Sequence, residues 1–128
     1  MTLRVPVSPG ELIDKLTILE IKLERMSDPA KKANVAKEFD VLSEELAKSV
    51  RQSSELTQLH SALKQVNETL WVVEDDIRDC ERAQDFGPKF IELARSVYRI
   101  NDRRAELKKE INLLLNSDLI EEKSYAAY

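Results

Sequence analysis

The chain has 128 residues, a formal net charge of −4, one cysteine, two glycines and four prolines, and 34% of its residues are charged. This length predicts a single domain, 1–128, and the scarcity of glycine and proline favours long helices over a β or mixed fold. The acidic balance argues against nucleic-acid binding, the lack of an apolar run of about 20 residues argues against a membrane span, and one cysteine excludes an internal disulfide.

The N-terminal residues contain no long apolar segment of the kind found in secretory signals. Together with the single cysteine, this predicts a cytoplasmic protein. Residues 1–7 alternate between apolar and polar side chains. This pattern predicts an extended arm that pairs along an edge or packs on the rest of the protein.

Helices 1 and 2 are predicted to form an antiparallel pair. Ser8 and Glu11 form a capping box with Pro9 at the first helical position, so helix 1 is expected over 8–26. The next cap begins helix 2, expected over 29–50. Apolar residues of the two helices pair with position numbers that sum to 58, as in Leu19 with Phe39.

Helices 3 and 4 are expected over 54–83 and 88–115, followed by a C-terminal strap, 116–128. Their apolar residues recur at spacings of 3 and 4 and pair antiparallel with a sum of 170, from Cys80 with Phe90 to Leu56 with Leu114. A third register, with a sum of 105, pairs helix 2 with helix 3. The sequence therefore predicts an all-α fold, an up-down-up-down antiparallel helical bundle with a long, protruding helix 3–helix 4 coiled-coil hairpin.

The far end of this hairpin extends beyond the short helix 1, so its apolar residues lack a cover from helices 1 and 2. Uncovered apolar surface usually marks an interface, and we expect a homodimer formed through the hairpin tips. The competing interpretation is that the C-terminal strap folds back over the tip. The candidate interface residues are Ile77, Cys80, Phe90 and Leu93.

Arg104 occupies a position of the apolar seam where a leucine would fit. An unpaired buried charge is costly, so Arg104 pairs with an acid, extends to solvent or binds an anionic ligand. A structural ion pair is the favoured interpretation. The nearest acid by register is Glu20, followed by Glu68 and Asp102.

A polar and aromatic stripe flanks the seam on helices 3 and 4. It predicts either a groove for an anionic small molecule or an amphipathic boundary whose long side chains pair with one another, and the boundary is the favoured interpretation. The candidate binding residues are Trp71, Glu74, Arg78, Arg95, Tyr98, Asn101, Arg104 and Lys108.

Helix 3 carries 7 acidic and 3 basic residues over 54–83, whereas helix 4 carries 4 acidic and 7 basic residues over 88–115. The simplest interpretation is attraction within the hairpin, and the alternative is a basic face for an acidic protein partner. Asp76 and Asp79 form one acidic pair without a counterpart on a second helix, so no metal site is predicted. No glycine-rich loop or zinc-ligand spacing is present, and no cofactor is expected. His60 is predicted to be solvated, and Cys80 to be a small core residue.

Six segments of the sequence resemble an uncharacterised bacterial family of small all-helical proteins, a domain of unknown function, over nearly the full length. The resemblance supplies no activity and no catalytic residue, although it implies a link to surface-glycan metabolism. It also adds Asp14, Lys15, Glu20 and Lys22 as secondary site candidates. The segments are Ser8–Lys22, Asn67–Trp71, Glu74–Arg78, Ala94–Tyr98, Asn101–Ala105 and Glu121–Tyr125.

Two functions follow from these observations. The first is a non-enzymatic helical oligomerisation or protein-interaction module, accessory to bacterial surface-glycan metabolism. The alternative is a helical-bundle ligand-binding protein or enzyme with a polar groove for an anionic small molecule. In the first, Trp71, Glu74, Arg95 and Arg104 satisfy one another and leave no cavity, whereas in the second they line a pocket with unpaired donors.

Overall fold

The computed structural model describes residues 1–128 and contains four helices and no strands. The helices are α1 (Pro9–Arg25), α2 (Pro29–Ser49), α3 (Ser54–Ala83) and α4 (Pro88–Leu114). Each boundary lies within one residue of the position expected from the sequence. The predicted all-α bundle with an α3–α4 hairpin is confirmed, and the α3–α4 pair has the most extensive helix packing.

Side-chain caps fix where the first three helices begin. The Ser8 hydroxyl accepts a hydrogen bond from the backbone N–H of Glu11, and Ser53 does the same for Leu56. Asp28 caps α2 by accepting from the first two backbone N–H groups of that helix. These caps satisfy N–H groups that have no partner within the helix.

Helix α1 is the central element, because it contacts each of the other three helices. It lies obliquely across the α3–α4 hairpin. In its first turn Gly10 contacts α4, in its middle Asp14 contacts both α3 and α4, and in its later turns Glu20 and Glu24 reach α3. This central position explains why α1 buries residues on most of its faces.

The hydrophobic core lies where α1 packs on the part of the hairpin that is far from its turn. All four helices contribute to it, and α2 contributes a single buried residue. The core residues are Ile13, Leu16, Leu46, Leu56, Leu63, Leu107 and Ile111.

Helix α2 packs closely against α1 alone. The sequence predicted that α2 and α3 pair closely, with paired position numbers that sum to 105. This prediction is therefore wrong. The physical reason is that α1 is packed against the hairpin and holds the α2 backbone away from it. Leu46, near the end of α2, joins the core together with Leu56 and Leu63, and Phe39 and Leu42 pack against that core as partly buried residues.

The far part of the hairpin is only two helices thick. No residue of α4 from Pro88 to Glu106 is buried, and beyond Asn67 α3 buries only Val73 and Cys80. At the turn, the rings of Phe86 and Phe90 pack edge to face with centroids 5.3 Å apart. No helix combines the length and apolar character needed to span a membrane.

Both terminal segments lack regular structure. The arm does not pack as expected, because Leu3 and Val5 are 78% and 68% exposed. The strap runs back along α4, where Glu121 pairs with Lys108 and the Tyr128 hydroxyl donates to Asp102. The Tyr128 ring also contacts Tyr98, which lies more than one helical turn short of Leu93. These contacts therefore leave the hairpin tip uncovered.

Candidate functional site

The acid that pairs with Arg104 is Asp14, not the predicted Glu20. Arg104 Nε lies 2.9 Å from Asp14 Oδ1, and Arg104 Nη2 lies 2.5 Å from Asp14 Oδ2. The Asp14 side chain is 3% exposed, whereas the Arg104 side chain is 30% exposed. The pair is thus a two-pronged contact with its acid buried and its base reaching the surface.

Two further polar side chains hold Asp14 in place. Asn67 donates from Nδ2 to Asp14 Oδ1 at 2.9 Å and to Thr17 Oγ1 at 2.8 Å. The Thr17 hydroxyl in turn donates to the backbone carbonyl of Asp14 at 2.7 Å. Because each member of this network has a partner, the position of the Arg104 guanidinium is fixed before any ligand arrives.

The oblique path of α1 explains why the sequence pointed to Glu20. That residue reaches the His60 ring at 3.0 Å, so the expectation that His60 is simply solvated is also wrong. Lys64 contacts both Glu20 and Glu24, and its hydrogen bond to Glu24 raises the pKa of Lys64. One signal in the sequence could have identified Asp14 as the partner of Arg104. Both this pair and the pair of Glu11 with Lys108 join an acid of α1 to a base of α4, and both follow the same antiparallel register.

The hydrogen bond to Asp14 raises the pKa of Arg104 above its ordinary value, outweighing the opposing effect of burial. Arg104 therefore stays cationic at any pH at which the protein is folded.

A groove with a volume of about 480 Å³ opens beside this network, between α1, α3 and α4. One wall is apolar and the rest is polar or charged. Its lining contains five of the predicted candidates, Trp71, Glu74, Arg78, Asn101 and Arg104, together with Ile18, Ile21, Asn67, Leu70 and Asp75.

Several donors in the groove have no partner within the chain. The indole N–H of Trp71 and the side-chain amide of Asn101 make no hydrogen bond to another residue. Arg104 uses Nε and Nη2 for Asp14, which leaves its Nη1 donors free. Arg78, in contrast, pairs with Glu74 along α3 at 2.5 Å. The free donors in the groove therefore belong to Trp71, Asn101 and Arg104.

The other three candidates on the polar stripe lie outside the groove. Arg95 pairs with Glu92 at 3.6 Å on the surface of α4, and Tyr98 packs against Tyr128 of the strap. Lys108 is a buried residue held by two carboxylates, those of Glu11 and Glu121, each at 2.8 Å from its Nζ.

Burial lowers the pKa of Lys108, but the hydrogen bonds to these two carboxylates outweigh it and the pKa is raised overall. Of the four secondary candidates, only Asp14 makes hydrogen bonds to groove residues. Lys15 pairs instead with Glu38 of α2 at 3.0 Å.

The first turn of α1 is anchored to α4 by a contact that sequence reasoning missed. The backbone N–H of Gly10 donates to Asn112 Oδ1 at 2.7 Å, and both residues are buried. A Cβ atom at Gly10 would lie 2.5 Å from the Lys108 carbonyl oxygen, so no other residue fits without moving α1. No three acidic, histidine or cysteine side chains converge in a way that could hold a metal ion.

Comparison with known proteins gives one finding. A family model described as a family of unknown function, DUF6165, matches residues 3–128. No curated protein and no solved structure matches the chain.

Proposed function

The chain belongs to the family of unknown function DUF6165, which supplies no activity to transfer, and from the geometry we propose that it is a helical-bundle protein that binds an anionic small molecule in the groove beside Arg104. The observation that carries this proposal is a groove with unpaired donors at Trp71, Asn101 and Arg104. The module interpretation required these residues to satisfy one another and to leave no cavity.

Arg104 supplies the contact for the anionic group of the ligand. Its guanidinium is held by Asp14 and presents its remaining N–H donors toward the groove, so little side-chain entropy is lost when a ligand binds. The side-chain amide of Asn101 lies beside it and adds a neutral donor or acceptor. Together they fit a carboxylate or a single phosphate ester.

The apolar wall determines which chemical group the ligand carries besides its anionic group. Ile18, Ile21, Leu70 and Trp71 are the apolar residues that line the groove, and such a surface favours a flat or apolar moiety. Glu74 and Asp75 lie on the rim and repel additional negative charge. The groove therefore favours a ligand with one anionic group over a polyphosphate.

The experiment uses Trp71, the only tryptophan of the chain, as its reporter. Benzoate and phenyl phosphate are titrated into the full-length protein, with inorganic triphosphate as the multiply charged comparison, while Trp71 fluorescence is recorded. We expect saturable changes with benzoate and phenyl phosphate, the two aromatic probes that carry one anionic group, and none with triphosphate.

Two variants locate the binding. Arg104→Lys keeps a cation for Asp14 but loses the planar fork, and Asn101→Ala removes a half-buried amide that no other residue needs. Each is expected to weaken probe binding about tenfold, which corresponds to one good hydrogen bond. Arg103→Lys, on the exposed side of α4, is the matched control and leaves binding unchanged. Equal affinity in all three variants, or no fluorescence change at millimolar probe, would contradict the proposal.

A further inference from the structure

Exposed apolar side chains are concentrated at the end of the bundle where α1 begins and α4 ends. They belong to the N-terminal arm, to the last turn of α4 and to the start of the strap. Apolar surface gathered in one region usually marks a contact with another molecule. The residues are Leu3, Val5, Val7, Leu113, Leu114, Leu119 and Ile120.

The hairpin tip, where the sequence predicted the interface, exposes fewer apolar side chains. Phe86 and Ile91 are exposed there, whereas the four predicted interface residues are less accessible. The expected attraction between acidic α3 and basic α4 is also not direct, because each ion pair near the tip joins residues of one helix. Of the predicted residues, Cys80 is buried and Ile77, Phe90 and Leu93 are half-buried.

A cleft of about 530 Å³ lies between the first turns of α3 and the last turns of α4. Leu113 and Leu114 contribute most of its exposed apolar surface, since they are 61% and 39% exposed. Two glutamates also line it, and neither has an ion-pair partner in the chain. The residues of this end cleft are Glu55, Gln58, Leu59, Glu110, Leu113 and Leu114.

The N-terminal arm has the complementary features. All of residues 1–7 are exposed, and no hydrogen bond or ion pair joins them to the rest of the protein. Because alternate side chains of an extended segment share one side, Leu3, Val5 and Val7 form an apolar edge. Arg4 lies among them and has no acidic partner. An apolar segment with one cation thus matches a cleft with exposed leucines and two unpaired carboxylates.

The arm of the same chain starts on the wrong side of the hairpin for its own end cleft. The first turn of α1 contacts Lys108 and Asn112 of α4, through Glu11 and Gly10. An α-helix turns by about 100° per residue, so Glu110 lies about half a turn around α4 from both of these residues. The end cleft therefore opens away from the face of α4 on which α1 and the arm begin.

We propose that the end cleft binds the N-terminal arm of a second copy of this chain, and that the two copies exchange their arms. Leu3, Val5 and Val7 pack on the exposed leucines of the partner's cleft, and Arg4 pairs with its glutamates.

The position of the arm allows the exchange to be reciprocal. Gly10 contacts Asn112, and Asn112 precedes Leu113 of the end cleft, so arm and cleft lie at the same end of the molecule. Two copies that meet at this end around a twofold axis can each supply an arm and a cleft. The seven arm residues span about 23 Å when extended, whereas α4 rises only about 6 Å from Glu110 to Leu114.

The test measures the mass of the full chain by light scattering after gel filtration, over a dilution series. The cleft variant carries Leu113→Asp, and the arm variant carries Leu3→Asp and Val5→Asp. The control is Val41→Asp on α2, at a side chain that is 56% exposed. None of these residues lines the groove beside Arg104, so the result is independent of the proposed ligand binding. Circular dichroism checks that each variant is folded.

The wild-type protein and the Val41→Asp control are expected to have twice the mass of one chain. The cleft and arm variants each place a carboxylate in the apolar contact, so their dimers are expected to dissociate at least about tenfold more readily. An equal mixture of the two variants is expected to dimerise more than either alone. In the mixed dimer, the intact arm of one variant meets the intact cleft of the other.

A charge-reversal series tests the pairing of Arg4. Glu55→Lys with Glu110→Lys makes the cleft basic and is expected to weaken the dimer about tenfold. Adding Arg4→Glu to this variant restores opposite charges, and the dimer is expected to recover.

Four results would overturn the proposal. A wild-type mass of one chain at the highest soluble concentration excludes the exchange and leaves the arm of the same chain as the only possible arm in the cleft. A dimer that the cleft variant preserves places the interface elsewhere, for example at the hairpin tip. Dissociation of the cleft variant but not of the arm variant excludes the arm as the occupant. Failure of Arg4→Glu to restore the charge-reversed dimer excludes the pairing of Arg4 with the cleft.

Discussion

At the scale of single residues, Asp14 connects the stability of the protein to its groove. The carboxylate is buried, accepts hydrogen bonds from Arg104 and Asn67, and keeps the guanidinium in place. Removing its cationic partner leaves a buried charge with only the amide to stabilise it.

We therefore expect Arg104→Leu to lower the free energy of unfolding by about 2–4 kcal/mol, although leucine restores the heptad pattern. Urea unfolding followed by circular dichroism measures the change. Arg103→Leu is the matched control on the exposed neighbouring residue and should change the stability by less than about 0.5 kcal/mol. A stabilised Arg104→Leu variant would show that Asp14 finds water instead and that the network is dispensable.

Gly10 and Gly87, the two glycines of the chain, make a second matched pair. In Gly10→Ala the new methyl group would lie 2.5 Å from the Lys108 carbonyl oxygen and 2.8 Å from Asn112 Oδ1, so α1 must move away from α4. We expect a loss of about 2 kcal/mol or more in thermal or urea unfolding.

In Gly87→Ala the nearest atom is the flexible Asp85 carboxylate at 3.2 Å, and the backbone φ of −79° suits alanine. The expected loss is less than about 1 kcal/mol. Equal effects of the two substitutions would mean that the close approach of α1 to α4 is not maintained in solution.

At the scale of elements, the C-terminal strap is attached to α4 by polar contacts at two places, Lys108 and Asp102. The hydrogen bond to the Asp102 carboxylate raises the pKa of Tyr128 above 10, because the neutral hydroxyl is the donor. A raised folded-state pKa means that the contact is fully present below about pH 10 and is lost as the pH rises through the folded-state pKa.

We predict that Tyr128 ionises at higher pH than an ordinary tyrosine, and that Asp102→Asn removes this shift. Phenolate absorbance near 295 nm, recorded from neutral pH to above pH 11, measures it. Asp118→Asn, which lies in the strap away from Tyr128, is the control and should leave the titration unchanged. An unchanged titration in Asp102→Asn would show that the strap is not held at this point.

At the scale of the whole molecule, the helices differ in how firmly they are held. Helix α1 contacts all three others, whereas α2 packs closely only on α1 and buries Leu46 alone. Local stability follows the number of buried apolar contacts that must break when a segment opens.

Amide hydrogens of α2 are therefore expected to exchange faster than those of α3 between Leu56 and Asn67, which face the core. Hydrogen exchange followed by mass spectrometry of peptides from each helix tests this difference. Exchange of both segments at one common rate would mean that α2 opens only when the whole protein unfolds.

The groove with its preorganised arginine lies along the middle of the α3–α4 pair and reaches Arg78. The exposed apolar residues Phe86 and Ile91 lie beyond it, at the hairpin turn. A cytoplasmic location, a bacterial origin and a role in surface-glycan metabolism stay predictions from the sequence.

The sequence by itself determined the helices, their ends and the α3–α4 seam, because capping by Ser8, Asp28 and Ser53 and the 3–4 spacing of apolar residues act within one helix or between adjacent helices. Four residues of the groove could also be named from the polar stripe, and Arg104 from the apolar seam, since α3 and α4 keep the register that the sequence predicts.

The tertiary structure decided that Glu20 reaches His60 and that α2 is held away from α3, and it selected Asp14, which the sequence indicates only through the α1–α4 register, as the partner of Arg104. These three outcomes share one cause, the oblique path of α1 across the hairpin. That path depends on how closely the backbone at Gly10 approaches α4, a long-range contact that no helical periodicity encodes.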